Sequence, residues 1–281
     1  MSIELITKVQ AAVDEIFAAE SKKELLTNQD YSWDGAHAIK VYKITTASMN
    51  DYGRTGAASG NWSRYGAVAS LDATTETLTL AKDRSFTFAI DALDADETAL
   101  QLEAAKALAR QQRVVIVPEL DKYVIGKMAT GAGTKPTAAT LTASNIYGAI
   151  LDASETLDDN EVPETNRRLI VSPAVYELMK QSGDIVLNTD IGQDLRLKGV
   201  IGNLDGMTVI KVPSVRLPNN FGFMVCHPVA TVAPVKLESY KIHKDPPGIS
   251  GALVEGRIVY DAFVLDNKAK AIYYQAQPAG N

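Results

Sequence analysis

Cysteine is almost absent from this sequence, which has 281 residues and a single thiol at Cys226. An internal disulfide needs two cysteines and a thiolate metal cluster needs more, so both are excluded. Histidine is also scarce, and none of the three histidines has Cys, Asp or Glu at metal-ligand spacing. We therefore expect no metal site and no cofactor that depends on thiolate or imidazole ligands.

Long apolar runs and an excess of positive charge are missing too. No stretch approaches the ~18 uninterrupted apolar residues of a membrane helix, and Glu4 and Lys8 break the apolar run at the start, which excludes a secretory signal. The formal net charge is -6. A protein that grips DNA phosphates needs a basic surface, so the bulk charge argues against tight DNA binding but does not exclude a container that encloses DNA.

Residues 3–20 have the apolar spacing of an amphipathic helix. The stripe comprises Ile6, Val9, Val13, Ile16 and Phe17. Such a helix could pack on its own core, or it could be an N-terminal arm that docks on a neighbouring subunit. The sequence leaves both alternatives open.

An unusual stretch follows the first predicted strand, which covers 36–45. Residues 48–70 are rich in Gly, Ser and Asn, yet they contain an aromatic and basic set: Tyr52, Arg54, Trp62, Arg64 and Tyr65. Long irregular connections are uncommon in compact domains, and disordered linkers seldom hold such aromatics. Because the rings need a surface to bury against, we predict that this arm packs on something outside its own domain.

Two strands and the clearest helix come next. Apolar residues alternate through 77–80 and 85–90, which predicts strands. Asp94 is a candidate N-cap with Glu97 three residues later, and Pro118 interrupts the pattern before a second helical run that ends near Ala129. If helical throughout, 94–129 would extend roughly 50 Å, which is long for a small globule.

The second half of the chain predicts a compact α/β region followed by long strands. A helix presents Ile146, Ile150, Ala153 and Leu157 on one face. Ser172 is the candidate N-cap of another helix, with Pro173 at its first position. Two turns are predicted, one at Leu204-Asp205-Gly206 and a tight one between two strands at Asp266-Asn267-Lys268.

Catalytic motifs are not found. The acidic run DALDADE is explained by helix capping, and no serine lies in a Gly-x-Ser-x-Gly elbow. A phosphate loop needs Lys followed by Ser or Thr directly after its last glycine, but Ala132 follows Gly131, and these glycines follow a helix instead of preceding one. Cys226 is predicted to be a small buried hydrophobe. We therefore predict that the protein is not an enzyme.

The order of these features resembles the major capsid proteins of tailed phages, of the Hong Kong 97 type. The resemblance rests on NDYGRTG, the Trp-bearing stretch after it, KDRSFTFAIDALDADET and VVIVPELDKYVIGKMA. It implies an α+β chain with an N-terminal arm, an extended E-loop, a peripheral domain with a long spine helix, and an axial α/β domain. On this sequence the implied ranges are 1–30 for the arm, 48–80 for the E-loop, 31–47, 81–165 and 235–281 for the peripheral domain, and 166–234 for the axial domain.

The resemblance also implies function and partners. Many copies would assemble through pentamers and hexamers into an icosahedral head that encloses double-stranded DNA without sequence-specific binding. Assembly would take place in the host cytoplasm, and the product would be the virion. The short N-terminal segment implies a separate scaffolding protein if one is used, and portal and decoration proteins are further candidate partners. Two alternatives remain: an encapsulin-like shell for cargo enzymes, and a nucleotide-binding α/β protein.

Overall fold

The structure is a computed structural model. It describes residues 21–28, 38–44, 46–57, 62–68, 70–71, 73–92, 104–183, 185 and 202–278. The amphipathic helix predicted for 3–20 and the start of the spine helix predicted at Asp94 lie outside these residues. Two units divide the chain: residues 35–80 form one, which we call the ribbon, and the remainder forms the other, whose described part from 81 to 278 we call the body.

The helices, in chain order, are a single turn at Lys23–Leu26, α1 at Ala104–Gln111, a π-helical segment at Gln112–Ile116, α2 at Val117–Gly131, α3 at Ile146–Asp159 and α4 at Pro173–Gln181. The strands are β1 Ala38–Ile44, β2 Ala73–Thr79, β3 Lys82–Asp91, β4 Arg168–Val171, β5 Asn203–Leu204, β6 Met207–Lys211, β7 Phe221–Cys226, β8 Thr231–Val232, β9 Val235–Lys244, β10 Gly251–Tyr260, β11 Phe263–Val264 and β12 Ile272–Ala276. The predicted α+β class is confirmed.

The larger core of the body surrounds a five-stranded sheet in the order β12-β7-β4-β6-β5. The β4–β6 pair is parallel and its neighbours are antiparallel. A parallel pair needs a crossover, and α4 lies in it. All six residues of β7 are buried, as expected of a central strand covered on both faces. The helix α3 buries its predicted stripe, from Ile146 to Leu157, in the same core.

The smaller core lies between a three-stranded antiparallel sheet, β3-β10-β9, and the spine helix formed by α1, the π segment and α2. Leu108, Ile116 and Leu120 of the spine pack there against Val254 and Ile258 of β10. Further along, the spine contributes Val124, Ile125, Met128 and Ala129 to the larger core. One helix therefore takes part in both cores of the body.

The spine continues through Pro118 with a change of pitch. Proline has no N–H, and its ring crowds the carbonyl oxygen four residues earlier, which belongs to Val114. The π segment Gln112–Ile116 places a wider turn at this point. The predicted interruption at Pro118 is thus a local widening of a helix that runs from Ala104 to Gly131.

The turns were predicted with mixed success. The Ser172 hydroxyl accepts the Val175 N–H at 3.2 Å, which confirms the cap of α4. Asp205 and Gly206 both have positive φ, as the two central residues of a tight hairpin require. The tight turn predicted at 266–268 is wrong. A 3₁₀ helix occupies 266–271, and the strands on either side pair with β8 and β7 instead of each other.

Candidate intersubunit contact surface

The ribbon consists of two antiparallel strands joined by a long loop. β1 and β2 pair without interruption from Ala38–Thr79 to Ile44–Ala73. Their residues are rich in β-branched and alternating types, which favour an extended ladder. On one face the Lys43 ammonium lies 3.0 Å from the Glu76 carboxylate. The connecting residues 46–71 have no helix or strand among those described, as the sequence predicted.

Short-range hydrogen bonds give this loop its shape. The Gly53 N–H donates to the Arg64 carbonyl at 2.9 Å, which ties the two sides of the loop together. The Ser63 side chain accepts the Tyr65 N–H at 3.2 Å. Gly66 follows with a φ of 91°, which side-chain-bearing residues rarely adopt. These contacts order the backbone around the aromatic residues without burying their side chains.

The predicted aromatic residues lie on the loop surface. Tyr52 and Tyr65 meet edge to face, with ring centroids 5.0 Å apart. Trp62 is 86% exposed, Tyr65 is 77% exposed and Tyr52 is 52% exposed. Within the described part of the loop, Trp62 joins no ring pair. The loop therefore brings the two tyrosines together and leaves the indole open to solvent.

Arg54 and Arg64 are also exposed and lie on the same loop. The hydrogen bond from the Gly53 N–H to the Arg64 carbonyl holds the backbones of the two arginines near each other, because Gly53 precedes Arg54. Exposed arginine beside exposed aromatic rings is typical of protein contact surfaces, since both residue types contribute to binding hot spots. The arrangement offers apolar area and positive charge, which suits binding more than chemistry.

Sequence reasoning missed three apolar members of this surface. Met49 is fully exposed, Val68 is 73% exposed and Leu71 is 61% exposed. Met49 and Leu71 are single apolar residues in polar stretches, and Val68 lies between two alanines, so periodicity gave no signal. More than half of the exposed large hydrophobic residues in the described ranges belong to this one loop. Contiguous exposed apolar surface marks an interaction site.

Cys226 and His227, two residues with side chains that could take part in catalysis, have structural surroundings in the body. Burial raises the pKa of the Cys226 thiol to about 12, so the thiolate nucleophile is absent at neutral pH. Burial also lowers the pKa of His227, whose Nδ1 accepts the Val229 N–H at 3.2 Å. Within the described ranges, no group of three or more His, Cys, Asp or Glu side chains could hold a metal ion.

The glycines after the spine serve close packing. A Cβ at Gly131 would lie 2.8 Å from the Val264 side chain, and one at Gly133 would lie 2.6 Å from the Ala269 carbonyl oxygen. These residues come at the C-terminal end of α2, where helix carbonyls point outward and repel phosphate. These glycines therefore allow close packing of the chain and do not form a phosphate-binding loop.

Two buried carboxylates were not predicted. Asp121 on the spine is 1% exposed and accepts hydrogen bonds from Ser21 at 3.0 Å and from Arg216 at 2.9 Å. Asp261, 3% exposed, accepts from the Tyr123 hydroxyl at 2.8 Å and from the Ala81 N–H at 2.9 Å. A signal existed for Asp121, since it follows Val117 by four residues and so falls on the buried face of the helix. Its partners, about 95 to 100 residues away, were not foreseeable.

The fold can now be compared with known structures through its two cores, the long helix that takes part in both, and the ribbon with its exposed aromatic loop. A chain from Mycobacterium phage Che8 has the same fold, with a TM-score of 0.74, 18% identity and 92% of each chain covered. The capsid structure of the cyanophage P-SCSP1u matches with a TM-score of 0.71 and 15% identity over 91% of this chain and 87% of that one. The virus-like particle from Pyrococcus furiosus matches with a TM-score of 0.61 and 12% identity over 97% and 99%.

The sequence profile of the family described as phage capsid protein matches residues 73–275, which is more than half of the chain. The chain therefore belongs to this family, and it is a major capsid protein with the Hong Kong 97-type fold. No curated protein sequence matches it. Membership implies assembly with copies of itself and a place in the virion. No helix in the described residues is long and apolar enough to cross a membrane.

Proposed function

We propose that the exposed loop of residues 46–71 is the E-loop by which each capsid subunit binds its neighbour. Tyr52, Arg54, Trp62, Arg64 and Tyr65 make the contact. The loop of one copy lies on a different surface of the next, which is a head-to-tail contact that closes into rings. The rings are the pentamers and hexamers of an icosahedral head that encloses double-stranded DNA.

The exposure of Trp62 carries this proposal. An aromatic side chain buries about 150–250 Å² in a contact, worth roughly 4–6 kcal/mol of gross transfer free energy at ~25 cal/mol per Å². That free energy is unused in the isolated subunit, where the indole is 86% exposed. Ordering of the loop and loss of subunit freedom reduce the net gain, but many equivalent contacts add up in a closed shell.

Strand pairing supports a refined domain assignment. β1 pairs with β2, so the E-loop unit extends over 35–80 instead of beginning at residue 48. The peripheral domain is built on the three-stranded sheet and the spine. The axial domain is built on the five-stranded sheet and includes β12, which pairs with β7 although the sequence assigned the tail to the peripheral domain. Residues 1–30 form the N-terminal arm.

The net charge of -6 supports an enclosing role towards DNA without sequence-specific binding, because phosphate-binding proteins carry a basic surface. A separate scaffolding protein, a portal protein and decoration proteins are the further partners of such a head. Assembly takes place in the host cytoplasm, where a buried, reduced Cys226 is in keeping with the redox environment.

Replacement of Trp62 tests the proposal. Trp62→Ala is expected to give a folded subunit that forms few or no particles, whereas Trp62→Phe, which keeps an aromatic ring, retains part of the assembly. Particle yield is counted by negative-stain microscopy, with the wild-type chain produced under the same conditions as the reference. Wild-type yield from Trp62→Ala would contradict the proposed contact.

A cargo-holding shell is the second candidate, because the virus-like particle from Pyrococcus furiosus shares the fold over nearly the whole of both chains. Nuclease treatment of purified particles separates the two functions. Nuclease-resistant double-stranded DNA of uniform length indicates a phage head, whereas particles that contain protein and no such DNA indicate a cargo compartment.

A further inference from the structure

Helix α2, the second half of the spine, has one face that its own subunit leaves largely uncovered. A groove along this face begins at Glu119 and is then lined by residues spaced three or four apart, which share one side of the helix. We call these residues the basic face: Lys122, Tyr123, Gly126, Lys127 and Thr130. The opposite side of α2, which includes Val124 and Met128, is buried in the larger core.

Positive charge is concentrated on the basic face. The ammonium groups of Lys82 and Lys127 lie 5.4 and 5.5 Å from the centroid of the Tyr123 ring, so two like charges are held near one ring. Within the described residues, neither Lys122 nor Lys127 forms an ion pair. The carboxylate at the start of the groove, Glu119, lies 3.3 Å from Arg84. A complementary partner must therefore be acidic.

Gly126 lies in the middle of the basic face, and the subunit itself gives no reason for a glycine there. Glycine is the poorest helix former after proline. A Cβ at Gly126 would meet nothing within 4 Å, whereas one at Gly131 would lie 2.8 Å from the Val264 side chain. Packing within the subunit therefore explains Gly131 and leaves Gly126 unexplained. A glycine of this kind indicates close approach by something outside the subunit.

Helix α3 exposes a face of the opposite charge. We call its exposed row the acidic face: Gly148, Leu151, Asp152, Glu155 and Asp159. The helix contains no lysine or arginine, and within the described residues none of these three carboxylates forms an ion pair. Asp159 also lies at the C-terminal end of the helix, where the helix dipole disfavours negative charge. A basic partner would stabilise this face.

The two faces match in spacing as well as in charge. A Cβ at Gly148, like one at Gly126, would meet nothing within 4 Å. Lys122 lies four residues before Gly126 and Asp152 lies four residues after Gly148, which is about 6 Å along each helix. Two helices that cross in antiparallel directions at these glycines therefore bring Lys122 and Asp152 opposite each other. Glycine at the crossing allows an interaxial distance at the lower end of the usual range of roughly 8–10 Å.

We propose that the basic face of α2 in one subunit binds the acidic face of α3 in a neighbouring copy. The helices cross at Gly126 and Gly148, and Lys122 pairs with Asp152. Because two different surfaces meet, the contact is head-to-tail and can close into a ring. The loop of residues 46–71 is not the occupant, since its two arginines and one aspartate give it the same sign of charge as the basic face. The contact rests on assembly of the chain with itself and uses no residue of the E-loop.

Gly126→Leu tests the close approach. The melting temperature of the unassembled subunit should be unchanged or higher, because the added Cβ has free space and leucine is a better helix former. The same side chain would overfill the crossing, so the subunit concentration needed for particles in negative-stain microscopy is expected to rise about tenfold or more. The control is Gly183→Leu, at another exposed glycine whose Cβ would meet nothing within 4 Å, and it should assemble like the wild type.

Charge exchange tests which surfaces meet. Lys122→Glu is expected to raise the concentration needed for particles about threefold or more, because it replaces an ion pair with repulsion from Asp152. Addition of Asp152→Lys to the same chain should restore assembly, since opposite charges again meet between copies. Addition of Glu177→Lys instead gives the same net charge through an exposed position of α4, and it should not restore assembly.

Wild-type assembly of Gly126→Leu or Lys122→Glu overturns the proposal, and so does a rescue that Asp152→Lys fails to give or that Glu177→Lys gives equally well. If Gly126→Leu lowers the melting temperature, charge exchange decides alone, because it leaves the crossing unfilled. Lys122→Glu particles that form normally but protect less DNA from nuclease would assign the basic face to the enclosed DNA instead. Trp62→Ala tests the E-loop and not this contact, so the two proposals can fail separately.

Discussion

The described part of the body buries most of its large apolar side chains, whereas the described part of the loop 46–71 exposes them. Phe223 in the five-stranded sheet is 0% exposed, and Trp62 in the loop is 86% exposed. A two-stranded ribbon alone is marginally stable in water, so the difference agrees with the proposal that neighbouring subunits cover this loop.

Truncation of a core side chain is expected to give the largest loss of unfolding free energy. Phe223→Ala removes a ring that stacks on Tyr273 at 6.2 Å between centroids, and is expected to lower the free energy of unfolding by about 4 kcal/mol. Urea denaturation measures the change. Phe223→Leu, which leaves a smaller void, should cost less than half as much, and equal losses would show that packing around the ring is not what stabilises the sheet.

The buried carboxylate on the spine comes next. Asp121→Ala leaves Arg216 and Ser21 without their acceptor, and is expected to cost about 3 kcal/mol in unfolding free energy. It should also speed proteolysis after Lys22 and Lys23, because the segment loses its attachment to the helix. Asp152→Ala, at an exposed position of α3, is the control and should change neither measurement.

Alkaline pH should weaken the body through the spine–sheet junction. Burial raises the pKa of Tyr260 to about 12, with a further contribution from nearby Glu119, and burial with the hydrogen bond to Asp261 raises that of Tyr123. The neutral form is favoured in the folded protein, so this stability is complete below pH 10 and is lost as pH rises from 10 to 12. In the wild type the free energy of unfolding should fall between pH 9 and pH 11, as measured by urea denaturation at both pH values. In Tyr260→Phe this fall should be smaller by about 1 kcal/mol, because the variant has no hydroxyl to ionise at this position. A pH dependence unchanged from the wild type would contradict this assignment.

Truncation in the loop should have the smallest effect on folding. Trp62→Ala is expected to change the unfolding free energy by less than about 0.5 kcal/mol, because the indole has little folded-state contact to lose. The assembly defect proposed above would then be separate from stability. A loss as large as that of Phe223→Ala would mean that Trp62 stabilises its own subunit, and the contrast between body and loop would fail.

Local patterns were enough to predict several elements. The α3 stripe of Ile146, Ile150, Ala153 and Leu157 is fully buried, because 3.6-residue spacing determines which face meets the core. Ser172 caps α4 and Asp205-Gly206 forms a turn, since both depend on residues within four positions of each other. The order of elements also sufficed to predict the capsid fold.

Long-range pairing was beyond the sequence pattern. The residues before and after 266–271 looked like the two strands of a hairpin, but each finds its partner more than 30 residues away, in β8 and in β7. Asp121 and Asp261 were missed for the same reason, since their partners come from distant segments. The aromatic loop was predicted as a contact surface, yet Met49, Val68 and Leu71 gave no periodic signal.

The position of Cys226 has a practical consequence for a particle that leaves its host. Because its only thiol is buried in strand β7, the folded subunit presents no accessible sulfhydryl to oxidants or to other copies. Oxidation by air therefore neither adds disulfide bonds between such subunits nor rearranges them. A cysteine introduced at the surface would therefore be the accessible thiol, and a thiol-reactive dye or ligand would label that position and not Cys226.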